Sequence, residues 1–196
     1  MNTIALPISW PRVPMARPPA AWPGWHWVLL LILSLTQLPS WASSPAVPAQ
    51  GQAFVLRSST MAGQAVDLSA MKGRVVLLYY WHTGCAVCLD KMPELRANAA
   101  GWQSQAFSLV IVQTDRRMED AQRYWQSVAQ AQVGGKGPVK MPMVLWRGAA
   151  GHVDSLTREP AHWPLSVLLD RDGKVAASWE GRIPAEAWDR IAELLP

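Results

Sequence analysis

The chain predicts an α/β domain, a central mixed sheet flanked by helices, behind an N-terminal extension. Three observations point that way. Two apolar runs of strand length, residues 75–81 and 107–112, are separated by a stretch in which Leu89, Met92, Leu95 and Ala99 recur at helical spacing. Strand, helix and strand joined by a crossover make a parallel, right-handed unit. Near the C-terminus, residues 165–169 and 175–179 flank Asp170-Arg171-Asp172-Gly173, which reads as an antiparallel hairpin with glycine where φ must be positive.

Taken in order, the chain opens with a targeting segment. Arg12 and Arg17 precede an apolar stretch at 25–35, no acidic residue occurs before Asp67, and Pro39-Ser40-Trp41-Ala42 places small residues where a signal peptidase needs them. Residues 1–42 are therefore a signal peptide cleaved after Ala42 or an N-terminal membrane anchor, uncleaved and tilted through residues 22–38. The stretch before the apolar core is long, and Met15 is an alternative start. No cysteine follows the core closely and no Arg-Arg pair precedes it, which argues against a lipoprotein and against twin-arginine export.

Residues 43–52 have the Pro, Ala, Ser and Gly composition of a linker, and 53–196 form the domain. Residues 53–57 are a short strand. After the second run at 107–112, a helix over 118–131 carries Met118, Ala121, Trp125 and Val128 on one face, and Val133-Gly134-Gly135-Lys136-Gly137-Pro138 ends it. Residues 141–146 are a strand or an extended approach to one. From 147 to 163 the only expected element is a helical turn at 154–158. Pro184 then opens a last amphipathic helix with Trp188, Ile191, Leu194 and Leu195.

Composition narrows the function. Removing residues 1–42 leaves 16 basic against 14 acidic groups, a net +2, and no basic stripe or block argues for nucleic acid. About 150 mature residues suffice for one core. The chemistry has one address, since Cys85-Ala86-Val87-Cys88 holds both cysteines of the chain. Cysteines at i and i+3 at a helix start lie on one face, within the roughly 4.4–6.8 Å between Cα atoms that a disulfide needs. The unpaired N–H groups there favour a thiolate. Cys85 is the expected attacking sulfur, exposed and with a lowered pKa, and Cys88, one turn inward, the buried resolving one. As a structural staple the pair closes too short a loop to stabilise much. As a zinc site it lacks partners, because no further cysteine exists and His26, His82, His152 and His162 are scattered.

The run Val75-Val76-Leu77-Leu78-Tyr79-Tyr80-Trp81-His82-Thr83-Gly84-Cys85-Ala86-Val87-Cys88, with Met92-Pro93-Glu94-Leu95 after it, resembles the TlpA/ResA/CcmG family of periplasmic thiol-disulfide proteins. Asp67-Leu68-Ser69-Ala70-Met71-Lys72-Gly73 is similar to that family's lead-in, and the segment from Trp163-Pro164 through Asp172-Gly173-Lys174-Val175 to its cis-proline and hairpin. The resemblance implies a thioredoxin fold, a redox-active Cys85–Cys88 disulfide with no organic cofactor or metal, and a substrate groove at Trp163 and a cis Pro164. It implies partner-protein disulfides as substrates, with haem-attachment motifs in cytochrome c maturation as one case. Electrons would come from a membrane thiol reductase of the DsbD or CcdA kind, and the protein itself would touch the membrane only through an uncleaved N-terminus.

Departures matter too. Gly84 stands where the family has Trp, which loosens the turn, and Ala86-Val87 offers no side chain to a thiolate. Tyr79 occupies the place of the buried Asp of thioredoxins, leaving Asp115 and His82 as candidate proton acceptors. The expected activity is reduction of disulfides. A DsbA-like oxidant or isomerase is the alternative enzyme, and a Sco-like copper-binding assembly factor using His152 or His162 the alternative without catalysis.

Overall fold

A computed structural model describes residues 46–133 and 142–196. Among these residues eight strands form one sheet: β1 (Leu56–Thr60), β2 (Ala65–Asp67), β3 (Val75–Trp81), β4 (Phe107–Gln113), β5 (Met143–Trp146), β6 (Val153–Asp154), β7 (Leu165–Leu169) and β8 (Val175–Glu180). Their order is β2-β1-β5-β4-β3-β7-β8, with β6 beside β1. The strands β3, β4 and β5 run parallel, and the remaining pairs are antiparallel. Three α-helices complete the described domain, α1 (Ala86–Gly101), α2 (Met118–Val133) and α3 (Glu186–Leu194), with a 3-10 turn at Leu68–Met71. This is the mixed sheet with flanking helices that the sequence predicts.

The strand β3 positions the site because it is buried on both faces. Val75, Leu77, Tyr79 and Trp81 pack with Cys88, Met92 and Leu95 of α1, Trp125 of α2, and Ile183, Ala187 and Ile191 around α3. Val76, Leu78 and Tyr80 point the other way, onto Ala46, Val47, Phe54 and Leu68. At about 1.5–3 kcal/mol for each large apolar side chain removed from water, this double burial makes β3 a fixed platform for the loop that follows it. The β7–β8 hairpin forms on the expected chemistry. Gly173 takes φ +79°, and the Asp170 carboxylate accepts the N–H groups of Asp172 and Lys174, each at 2.9 Å.

Four expectations shift. Residues 1–45, which include the segment read as signal or anchor, lie outside the described residues, as do 134–141. The rest of the expected linker, 46–52, is packed onto the domain: Ala46 and Val47 are buried, and Thr157 N–H donates to the Ala46 carbonyl at 2.9 Å. The first strand begins at Leu56 rather than 53, leaving Ala53 in an isolated bridge to Lys174. No helical turn forms at 154–158, because the Asp154 carboxylate captures the Leu156 N–H at 3.1 Å and closes a side-chain turn instead. In α1 the buried face is Cys88, Lys91, Met92 and Leu95, so Leu89 is turned out to solvent. The phase is set by seating Cys88 in the core.

Candidate active site

The redox motif begins where β3 runs out. Cys85 caps α1 in an extended conformation, φ −95° and ψ 102°, and its Sγ accepts the Cys88 N–H at 3.2 Å. Cys85 and Cys88 form a disulfide with their Cα atoms 5.2 Å apart. Their surroundings differ. Cys85 is half-buried at the surface, whereas Cys88 is fully buried. The first turn is apolar on its outside, since Val87 and Leu89 are both exposed, and neither Ala86 nor Val87 brings a donor to the sulfurs. The backbone N–H groups at the helix start are therefore the polar groups that this turn supplies to a thiolate.

Below the pair, the Tyr79 hydroxyl donates to the Cys88 carbonyl at 3.4 Å. Burial raises the Tyr79 phenol above its ordinary value, outweighing the opposite influence of Arg182. It stays protonated and cannot take the part of the carboxylate that thioredoxins keep there. Pro93 lies inside the unbroken helix α1 and lacks an N–H, which leaves the Leu89 carbonyl without its helical donor.

The structure places the Trp163-Pro164 segment and His82 at the end of the sheet where the cysteine loop begins. The Trp163-Pro164 peptide is cis, as expected. Leu165 pairs with Tyr80, so Pro164 lies at the end of the sheet where the cysteine loop leaves β3. The Trp163 ring meets His82 edge-on, with centroids 5.6 Å apart, and the His82 carbonyl accepts the Cys85 N–H at 3.1 Å. Gly84 is fitted to this turn: a Cβ there would sit 3.3 Å from His82 Nδ1.

Asp115 is close by but engaged. Its carboxylate accepts the Thr83 N–H at 3.0 and 3.1 Å, the Thr83 hydroxyl and the Gln113 side-chain amide. Gln113 is fully buried and in turn accepts the Trp125 indole N–H at 3.1 Å. Sequence reading missed Gln113 and Trp125 as site residues, although a glutamine closing the apolar run that follows Ser108 was a signal. Lys91, outside the site on the inner face of α1, was missed as a buried residue. It is the one charged residue among the buried polar side chains of the described residues, paired with Glu94 at 2.7 Å, and Glu94 also accepts the Trp188 indole N–H at 2.7 Å. The hydrogen bond from Lys91 holds the Glu94 carboxyl below its usual range, against a weaker push from burial.

The two histidines of the copper alternative lie apart from this arrangement. His152 is held between Ser58 Oγ at 2.9 Å and Asp154 Oδ2 at 3.0 Å, and His162 is exposed. Among the described residues no group of three or more His, Cys, Asp or Glu is placed to hold a metal ion, and no helix is long and apolar enough to cross a membrane.

Residues 47–190 match the AhpC/TSA family. The chain is 20% identical over 142 residues to the thiol-disulfide oxidoreductase ResA of Halalkalibacterium halodurans, a match covering 72% of this chain and 73% of that protein. Its fold is similar to that of a thiol:disulfide interchange protein of the thioredoxin family from Chlorobium tepidum TLS, with 17% identity, a TM-score of 0.56, and coverage of 76% of this chain and 99% of the other. It is also similar to a DsbF homologue from Corynebacterium diphtheriae, with 17% identity, a TM-score of 0.57, and coverage of 74% and 86%. At these identities the structural likeness carries the fold alone.

Proposed function

The chain belongs to the AhpC/TSA family, and from that premise and the geometry of its cysteine pair we propose that it is an exported thiol-disulfide oxidoreductase that reduces disulfides in partner proteins. One observation carries the reading: the two sulfurs at the start of α1 are unequal, Cys85 reachable and Cys88 buried. Exchange requires that inequality. The reduced Cys85 thiolate attacks one sulfur of a target disulfide, forming a mixed disulfide and releasing the other sulfur as a thiolate. Cys88, as thiolate, then attacks Cys85 Sγ and expels the second target sulfur. The target gains two electrons, and the protein is left with the Cys85–Cys88 disulfide. A dithiol partner must return those electrons, and a membrane reductase of the DsbD or CcdA kind fits that need.

The cis Pro164 and Trp163 would receive the target segment beside Cys85, with the exposed Val87 and Leu89 as an apolar rim. The N-terminal 42 residues would place the domain in the periplasm, either freed by cleavage or held by residues 22–38. Haem-attachment motifs of cytochrome c are a substrate class that a periplasmic reductant of this type would serve.

Direction follows from what stabilises the reduced form. Strong oxidants have heavily stabilised thiolates, and stabilising the dithiol raises the potential. Ala86 and Val87 add no donor here, so the couple is expected nearer thioredoxin, about −270 mV, than DsbA, about −120 mV. Equilibration with glutathione buffers tests this. A value above about −180 mV would replace the reductant reading with an oxidant or isomerase. Trapping partners on the Cys88→Ser variant would then identify the substrates.

A further inference from the structure

We propose that Asp115 is a positioning residue for the attacking cysteine: through Thr83 it fixes the turn that presents Cys85, and its own aim is set by Gln113 and Trp125. The inference rests on reading the cysteine pair as an exchange centre and adds residues that lie outside the pair and its groove.

The turn between β3 and α1 has little to hold it from within. Gly84 has no side chain, and a Cβ there would press on the His82 ring at 3.3 Å. Its ties come from the end of β4 instead. Thr114 donates both its N–H, at 2.8 Å, and its hydroxyl, at 2.9 Å, to the Trp81 carbonyl. Asp115 then takes both donors of Thr83, the second residue of the turn. Every residue from Trp81 to Thr83 is thus tied through its own atoms or, at His82, through the carbonyl that receives Cys85 N–H.

The direction of each bond in this chain is fixed by chemistry. An indole N–H only donates and a carboxylate only accepts, so the amide of Gln113 has a single orientation, oxygen to Trp125 and nitrogen to Asp115. A carboxylate at 115 therefore arrives already aimed at Thr83. Its oxygens are spent on Thr83 and Gln113, which favours positioning over taking a proton from a thiol. Near-attack geometry is sensitive to displacements of about 1 Å, so loosening this turn should slow attack without unfolding the domain.

The chain of bonds can be rebuilt with its polarity exchanged. In the double variant Gln113→Glu/Asp115→Asn, the side chain at position 115 keeps an oxygen for Thr83 and donates its amide to the carboxylate now at position 113, whose other oxygen accepts the Trp125 indole. The test measures the rate at which the reduced protein attacks a small aromatic disulfide, alongside the thermal unfolding midpoint. Asp115→Asn alone presents an amide to an amide and is expected to slow attack about tenfold, and the double variant to return within about threefold of the parent. A rate for Asp115→Asn within about twofold of the parent would overturn the proposal. So would a folded double variant as slow as the single, because a carboxylate at 115 would then be needed for itself. If either variant fails to fold, Thr83→Val decides. It removes one donor and no charge, and an unchanged rate overturns the proposal while a loss of about threefold supports it. A parent protein that attacks no disulfide would instead sink the oxidoreductase reading, a result separate from any of these.

Discussion

Asp115 and Asp154 each follow or end a strand and each gather the polar groups around them, yet they organise different things. Asp115 ties the loop before Cys85 to the end of β4. Asp154 closes the edge of the sheet, where its carboxylate meets His152 at 3.0 Å and Arg147 at 3.4 Å, while Ser58 receives the other nitrogen of His152 and donates to the Trp146 carbonyl at 3.0 Å. Ser58, His152 and Asp154 have the composition of a hydrolytic triad. They lack its geometry, because Ser58 is buried within β1 with its hydroxyl committed to a carbonyl. Position, rather than residue type, separates a carboxylate that serves the chemistry from one that serves the fold.

That separation can be broken most sharply at the cysteines. Cys85→Ser should abolish turnover with protein disulfides and leave the apolar packing of Cys88 in place, read by an exchange assay next to a thermal melt. A variant with substantial turnover would remove the site from this end of the sheet. The next largest effect belongs to the edge. His152→Ala takes one hydrogen bond from each of two buried partners, Ser58 and Asp154, which keep the Trp146 carbonyl, the Leu156 N–H and Arg147, and should cost about 1–2 kcal/mol of stability, with the exchange rate at about 25 °C unchanged. If it slowed exchange as much as it destabilised, the two ends would be coupled and the contrast between them would fail.

The edge network also carries a pH signature. Burial pushes the Asp154 carboxyl up, but the hydrogen bond from His152, the Arg147 guanidinium and the Leu156 N–H together bring it below its ordinary value. A carboxyl depressed in the folded state contributes stability above its unfolded pKa and loses it as pH falls through the folded one. Denaturant titrations should therefore show stability falling below about pH 4, and Asp154→Asn should flatten that acid limb. An unaltered limb would place the acid sensitivity elsewhere.

How far the sequence displays these regions depends on what fixes each one. The strand β3 and the hairpin at Gly173 are legible because local pattern and tertiary role agree: seven apolar residues are buried on both faces, and the turn residues meet the demands of their own backbone. Cys85 and Cys88 are legible by spacing. Ala46 and Val47 are not, because small apolar residues among prolines carry no periodicity, and it is the Leu78 and Tyr80 face that buries them. The spacing of Leu89 fits a helix but leaves its phase open, which the seating of Cys88 decides. Asp115 falls in the loop that the sequence singles out. Its engagement with Thr83 depends on β3 and β4 ending side by side, and a one-dimensional reading does not show that register.

The smallest expected effect concerns the join between α1 and α3, where an acidic side chain near the motif accepts an indole N–H directly, whereas the Trp125 indole reaches Asp115 only through Gln113. Glu94 accepts from Lys91 and from Trp188, both at 2.7 Å, but its side chain is 43% exposed, so water competes for the carboxylate in the absence of either donor. Solvent screening of this kind leaves an exposed charged pair with about 0–1 kcal/mol. Trp188→Phe removes the indole N–H and keeps most of the ring packing with Trp102, whose centroid lies 6.0 Å away. The variant should therefore lose about 0.5 kcal/mol of stability, close to the resolution of a denaturant titration. Turnover should be unaffected, since Glu94 is more than a turn and a half beyond Cys88 and its side chain is engaged with Lys91 and Trp188, not with either cysteine. A loss above about 2 kcal/mol would mean that the Lys91–Glu94–Trp188 chain behaves as a buried network, and α3 would then join β4 among the elements that hold the redox helix in place.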